Sequence, residues 1–186
     1  NRTAIVASTA GVSADVAFHL LRKRQFSVTQ TVSAIQSDYN SFMRDCGVYN
    51  RLTKFSSQWN RTDTMEHLCE ICYDTVSGSD VFSLACQHYF CRECWGIAIA
   101  TVFDDGESTL AALKCPQHQC QEHLTRTDLE AIAPNSVGSW DKAAIQEFVW
   151  KSLDYSFCPG ADCTVVACLA SDETKNHPAS CGLCGT

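Results

Sequence analysis

The chain has no long hydrophobic run, no excess of basic charge and no opening segment patterned as a secretory leader. Its longest apolar stretch, Gly96 to Phe103, is eight residues. A membrane-spanning helix needs roughly 18 or more, so no membrane span is expected. Lys and Arg number 14 against 21 Asp and Glu, a formal net charge of -7. Nucleic-acid binding draws on basic patches. None is expected here, and a partner with a basic face suits the chain better. The missing leader, with the cysteine spacing below, points to a reducing compartment: the cytoplasm, with the nucleus left open. At 186 residues and 45% hydrophobic content, the chain suits one medium domain or two to three small ones. It starts without Met and stops at Thr186, and reads as a piece of something longer.

Cysteine is what the chain has in quantity, 13 residues, all but Cys46 crowded into its second two-thirds. Between residues 69 and 120 eight Cys or His positions fall in four close pairs: Cys69 and Cys72, Cys86 and His88, Cys91 and Cys94, Cys115 and Cys120. Zinc takes four nitrogen or sulfur ligands in a tetrahedron, with Zn–S of about 2.3 Å. Two intervening residues let both sulfurs of a pair reach one ion. Spacing alone permits either sequential or interleaved pairing. A disulfide scaffold is the competing account, but it needs an oxidising compartment and gives no reason for Cys86-x-His88. The small loop between Cys69 and Cys72 has almost no core, so Ile71 at its tip is expected to face a partner. Trp95 opens the stretch to Phe103, whose length and Ala content favour a helix.

Ahead of the cysteines, Ser13 and Asp15 offer N-cap chemistry before Val16, Phe18, Leu20 and Leu21. The basic run 22–24 favours a helix end. Ser27 is a second cap, with Val28, Val32 and Ile35 on one helical face. Asn40 or Ser41 is expected to cap a third helix containing Phe42, Met43 and Cys46, with Cys46 as core filler and Gly47 as the stop. Residues 1–12 read as a short leading helix or an arm. The three-helix stretch resembles a ubiquitin-associated-type (UBA-like) bundle. Ubiquitin-binding members usually carry a Met-Gly-Phe loop where this chain has Arg24-Gln25-Phe26. The departure implies docking of a related modifier, or an internal contact. Residues 48–66 form a polar connector in which Tyr49, Leu52, Phe55 and Trp59 are candidate anchors.

After Cys120, Thr125 or Thr127 caps a helix containing Leu129 and Ile132, and residues 134–138 break it. Ser139 is expected to cap the next helix, with Trp140, Ala144, Ile145, Phe148, Val149, Leu153 and Phe157 at helical spacings. The tail carries Cys158-Pro159 and Cys163, then Cys181 and Cys184, four Cys suited to one more zinc ion. Cys168, in the apolar run 165–169, is expected to be buried.

The ligand order from Cys69 to Cys120 resembles a RING finger. That resemblance implies a cross-brace: Cys69, Cys72, Cys91 and Cys94 on one zinc, and Cys86, His88, Cys115 and Cys120 on another. It further implies that Ile71, Tyr73, Pro116 and His118 receive a ubiquitin-conjugating enzyme. The last pair, Cys115-Pro116 to Cys120, and Gln121, where directly acting RING ligases often carry a clamping Arg, resemble the first RING of RING-between-RING ligases. Cys158, Cys163, Cys181 and Cys184 resemble the first half of an in-between-RING (IBR) zinc domain. The whole order is similar to the ariadne subfamily of RING-between-RING (RBR) E3 ubiquitin-protein ligases.

The implied fold is small α plus zinc-stabilised α+β. Its expected parts are a UBA-like bundle (1–47), connector (48–66), first RING (67–123), helical linker (124–157) and partial IBR (158–186). The implied cofactors are two zinc ions in the RING and one in the IBR. The implied partners are a charged conjugating enzyme and ubiquitin, and a cullin-RING ligase or ubiquitin-like modifier at the bundle. No Cys here matches the second-RING nucleophile, so no catalytic residue is expected. The alternatives are a directly acting RING ligase and a non-enzymatic zinc scaffold.

Overall fold

Residues 1–45 form four helices: α1 (Arg2–Ala10), α2 (Ala14–Lys23), α3 (Val28–Ser37) and α4 (Tyr39–Asp45). The computed structural model describes residues 1–52, 58–59, 66–104, 110–152, 154–168 and 181–185. Of the two alternatives for residues 1–12, the leading helix is the one observed, and it joins the three expected helices. Asn1 starts α1 by accepting from the Thr3 N–H at 3.0 Å, and Gly11 closes it at φ +67°. Val6 and Ala10 are buried in the bundle core. Ser13 and Ser27 cap α2 and α3. The cap of α4 is Asp38, not Asn40 or Ser41, which lie within the helix; Asp38 accepts from the Ser41 N–H at 2.9 Å. A charged oxygen two to three residues earlier satisfies one of the orphan donors of the first turn.

The cysteine-rich half is built from short antiparallel pairs. β1 (Gln58–Trp59), β4 (Val81–Ser83) and β5 (Tyr89–Cys91) form one sheet in the order β1-β4-β5, and β2 (Glu66–Leu68) pairs with β3 (Thr75–Ser77). Helix α5 (Arg92–Asp104) follows and takes in the Gly96–Phe103 stretch. Two further helices come after Cys120, α6 (Arg126–Ile132) and α7 (Val137–Lys151). Thr125 caps α6 through a capping box with Asp128. Gly138 and Ser139 sit inside α7, not before it, because the 3-10 turn Pro134–Ser136 leads straight into the helix. Helix α7 ends at Lys151, and Phe157 belongs to β6 (Tyr155–Phe157), paired with β7 (Val166–Cys168). Phe55 and Leu153 lie outside the described residues. No single helix among the described residues is long and apolar enough to cross a membrane.

Two cores support these elements. The bundle core holds Leu20, Leu21, Met43 and Cys46. The second is centred on Trp95, with Phe82, Phe90, Ile99, Leu113, Leu124 and Leu129. Trp95 packs edge-on against Phe82 and Phe90 and donates its indole N–H to the Phe82 carbonyl at 3.0 Å. Burying such a ring is worth on the order of 1.5–3 kcal/mol, so Trp95 is a core residue. Phe18 of α2 touches both cores. It lies 5.2 Å from Trp140 of α7, and Phe26 lies 5.0 Å from Phe148 of the same helix. The bundle is thus packed on α7.

Candidate metal centres

The side chains singled out by spacing converge in three groups. In each group the ligand atoms lie within 4.8 Å of one another: Cys69, Cys72, Cys91 and Cys94; Cys86, His88, Cys115 and Cys120; Cys158, Cys163, Cys181 and Cys184. Sulfurs around a tetrahedral zinc are about 3.8 Å apart when Zn–S is about 2.3 Å. The separations of Cys72 from Cys91 (3.9 Å), Cys158 from Cys184 (3.5 Å) and Cys163 from Cys181 (3.7 Å) are of that size. Each group could hold one metal ion.

The backbone explains the convergence. Cys69 follows β2, where its carbonyl accepts from the Tyr73 N–H at 2.8 Å and its own N–H reaches the Asp74 carbonyl. Cys91 ends β5 and Cys94 lies in the first turn of α5. In the second group, the Cys115 Sγ lies 3.5 Å from His88 Nδ1. The Cys115 N–H donates to the Glu122 carbonyl at 2.8 Å, and the Leu124 N–H to Leu113 at 3.0 Å. Those bonds close the loop carrying Cys115 and Cys120. In the third, the Cys158 N–H donates to Val165 at 2.9 Å. Tyr73, Gln87, Gln119 and Asp162 all have φ between 57° and 63°. Each adjoins a candidate ligand, in a left-handed conformation that side-chain-bearing residues adopt at a cost of order 1–2 kcal/mol. The tight loops impose it.

The thiols themselves argue for a cation. Burial resists ionisation of Cys69, but N–H groups of Cys91, Cys72 and Ile71 outweigh it and bring that thiol down to about 6. Burial and the adjacent Cys91 thiol push Cys94 up. A hydrogen bond from Cys115 brings Cys86 down to about 5, and the same contact raises Cys115. In each of these two groups the surroundings favour the thiolate at one cysteine and disfavour it at another. A divalent ion at the centre would favour the thiolate at every position. Sulfur-rich four-donor sets of this kind suit zinc.

Beside the groups lie the residues assigned to a partner. Ile71 is 43% and Tyr73 75% exposed. His118 is exposed, outside the second metal group, and Pro116 is half-buried. Pro116 and His118 line a shallow cleft of about 350 Å³ with Ala98, Lys114 and Gln117; Ile71 and Tyr73 are not part of its wall. Cys168 was expected to be buried and is exposed instead. It sits at the end of β7, in a two-stranded pair with β6.

Spacing gave no hint of a set of charged residues joining the bundle to this half. Arg22 of α2 pairs with Glu147 of α7, both side chains 7% exposed. Arg51 pairs with Glu122 and Asp128 at 3.0 and 2.6 Å. Burial pushes the Glu122 carboxyl up to about 7, with Arg51 and Asn50 opposing. His19 stacks on His123 with ring centres 5.6 Å apart. Burial, with Arg22 close by, pulls His19 well below its ordinary value and His123 down to about 4. The partners are tens of residues apart in sequence, so local pattern carries no trace of them.

No family model matches the chain. Among curated proteins it is similar to E3 ubiquitin-protein ligase ARIH2 of Mus musculus, 26% identical over 155 residues, which are 82% of this chain and 31% of that protein. Probable E3 ubiquitin-protein ligase ARI7 of Arabidopsis thaliana is 24% identical over 184 residues, 98% of this chain and 31% of its own length. E3 ubiquitin-protein ligase arih1 of Xenopus laevis is 27% identical over 143 residues, 74% of this chain and 27% of its own. The chain spans less than a third of the length of these relatives.

Proposed function

We propose, from the premise that the curated homologues of this chain are E3 ubiquitin ligases of the ariadne type, that it is the recruiting part of such a ligase. In this reading it receives a conjugating enzyme carrying ubiquitin as a thioester. Ubiquitin then passes to a Cys of a second RING outside this chain, and from there to a substrate amine. In each exchange the attacking group bonds to the ubiquitin carbonyl carbon and the earlier thiolate leaves. No Cys of this chain is assigned that role.

The single observation carrying the reading is an apolar residue held out in solvent: Ile71, 43% exposed, on the loop closed by Cys69 and Cys72. Zinc would offset part of the thiolate charge and fix the loops. The cross-brace assignment is supported by the gathering of Cys69 and Cys72 with Cys91 and Cys94, and of Cys86 and His88 with Cys115 and Cys120. Tyr73, Pro116 and His118 complete the proposed docking face. Gln121 is exposed and offers no guanidinium to clamp ubiquitin for direct transfer. The proposed compartment is the cytoplasm, with the nucleus as a second. A ubiquitin-like modifier or cullin-RING ligase docking on the bundle would have to bypass Phe26, which is 2% exposed and packed on Phe148.

Binding and discharge assays test this. The zinc-loaded chain should bind a charged conjugating enzyme, and Ile71→Ala should weaken binding about tenfold, a loss of order 1.4 kcal/mol. Free lysine should not be ubiquitinated faster in its presence. Rapid lysine discharge would favour a directly acting RING ligase, and absence of binding would leave a zinc scaffold.

A further inference from the structure

Residues 122–124 leave the loop of Cys115 and Cys120 and are tied on two sides. On one side they pair with the approach to Cys115: its N–H donates to the Glu122 carbonyl at 2.8 Å and the Leu124 N–H to Leu113 at 3.0 Å. On the other they meet the segment that follows α4. The His123 N–H donates to the Gly47 carbonyl at 2.9 Å. Arg51 Nη2 donates to the His123 carbonyl at 2.7 Å and to Asp128 Oδ2 at 2.6 Å. Arg51 Nε lies 3.0 Å from Glu122 Oε1, and the Asn50 amide donates to Glu122 Oε2 at 3.0 Å.

One guanidinium therefore donates hydrogen bonds to the carbonyl of His123 and to the carboxylate of the α6 capping box, and forms a close ion pair, without hydrogen-bond geometry, with the Glu122 carboxylate two residues beyond Cys120. The Arg51 side chain is 12% exposed, and those of Glu122 and Asp128 are 1% and 4%. Planar, forked donors suit such multiple acceptors, and lysine cannot copy them. Groups that orient a ligand loop from behind govern metal retention, and removing one commonly costs 10–100-fold in affinity.

We infer that Arg51, well upstream of Cys69, is a positioning residue for the second metal group, Cys86, His88, Cys115 and Cys120. It fixes the segment that closes the Cys115–Cys120 loop, so the bundle side of the molecule holds that loop in the geometry a metal ion needs. The first and third groups are built on other strands and turns, and none of the contacts described for Arg51 reaches them. The inference rests on the zinc reading of the second group.

Cysteine alkylation of the full zinc-loaded chain, mapped peptide by peptide by mass spectrometry, tests it. In the unaltered chain zinc should protect all three groups. Absence of protection at Cys86, Cys115 and Cys120 would defeat the zinc reading itself, separately from the role of Arg51. Arg51→Met should speed alkylation of Cys115 and Cys120 about tenfold or more, with Cys69, Cys72, Cys91 and Cys94 unchanged. Arg51→Lys should recover only part of the protection. Glu122→Gln, a milder change in case Arg51→Met does not fold, should speed the same two cysteines a few-fold. An equal rise in all three groups, or none at Cys115 and Cys120 in either variant, would overturn the assignment.

Discussion

Arg22 and Glu147 face each other across the α2–α7 seam as a forked ion pair, Nε to Oε2 at 3.0 Å and Nη2 to Oε1 at 3.1 Å. Both are buried, so removing one partner strands a charge away from water. Arg22→Met should lower unfolding stability by about 3 kcal/mol, the lower end of the usual range, because Lys151 also pairs with Glu147. Urea denaturation measures this. The double variant Arg22→Met with Glu147→Met should regain most of the loss, since a buried pair replaced by apolar side chains is often neutral. Equal losses in single and double variants would mean that the pair does not act as a unit.

The stacked His19 and His123 make the contact between α2 and residues 122–124 sensitive to acid. Both are held neutral in the fold by burial, His123 down to about 4, against an ordinary histidine value near 6.5. Below about 6.5 the unfolded chain binds protons that the fold refuses, so stability must fall as pH drops from about 6.5 toward 4 and be fully present above that window. Comparing His19→Leu with the unaltered chain at each pH isolates the effect from any loss of metal. The variant should show a shallower decline over that interval.

Two glycines share a left-handed backbone but differ in surroundings. A Cβ at Gly47 (φ +66°) would fall 2.2 Å from the Gln121 carbonyl oxygen and 2.4 Å from His123 Cδ2, whereas one at Gly11 (φ +67°) meets nothing within 4 Å. Gly11→Ala should cost only the backbone strain, about 1–2 kcal/mol. Gly47→Ala should cost clearly more, because α4 and residues 121–123 must separate. Thermal unfolding of the two variants side by side checks the difference.

What could be read beforehand was what chemistry writes locally. Ser13, Ser27 and Thr125 each reach an N–H within their own first turn, so their caps are visible in a few residues. The Cys and His pairs belong to the same class, since each pair is close in sequence. Ser139 lies inside α7 and not at its start, because only the Pro134–Ser136 part of the expected break at 134–138 interrupts the helices, and Gly138 is tolerated within a helix at a cost of about 1 kcal/mol. The exposure of Cys168 is not written in its apolar run, since apolar composition alone does not decide which side of a strand is covered. Arg2 was out of reach: it spans 152 residues to Asp154, and nothing near either residue records the other. The same holds for Arg22 and Arg51, so the attachment of bundle to cysteine-rich half was invisible while each half was legible.

Native mass spectrometry of the reduced, zinc-loaded chain tests the central claim most directly. The three side-chain groups should retain three zinc ions per chain. A variant with Cys158 and Cys163 replaced by Ser should retain two, held between residues 69 and 120. Fewer than two ions on that variant would contradict the account, because the exposed loop bearing Ile71 would then lack the ion proposed to fix it.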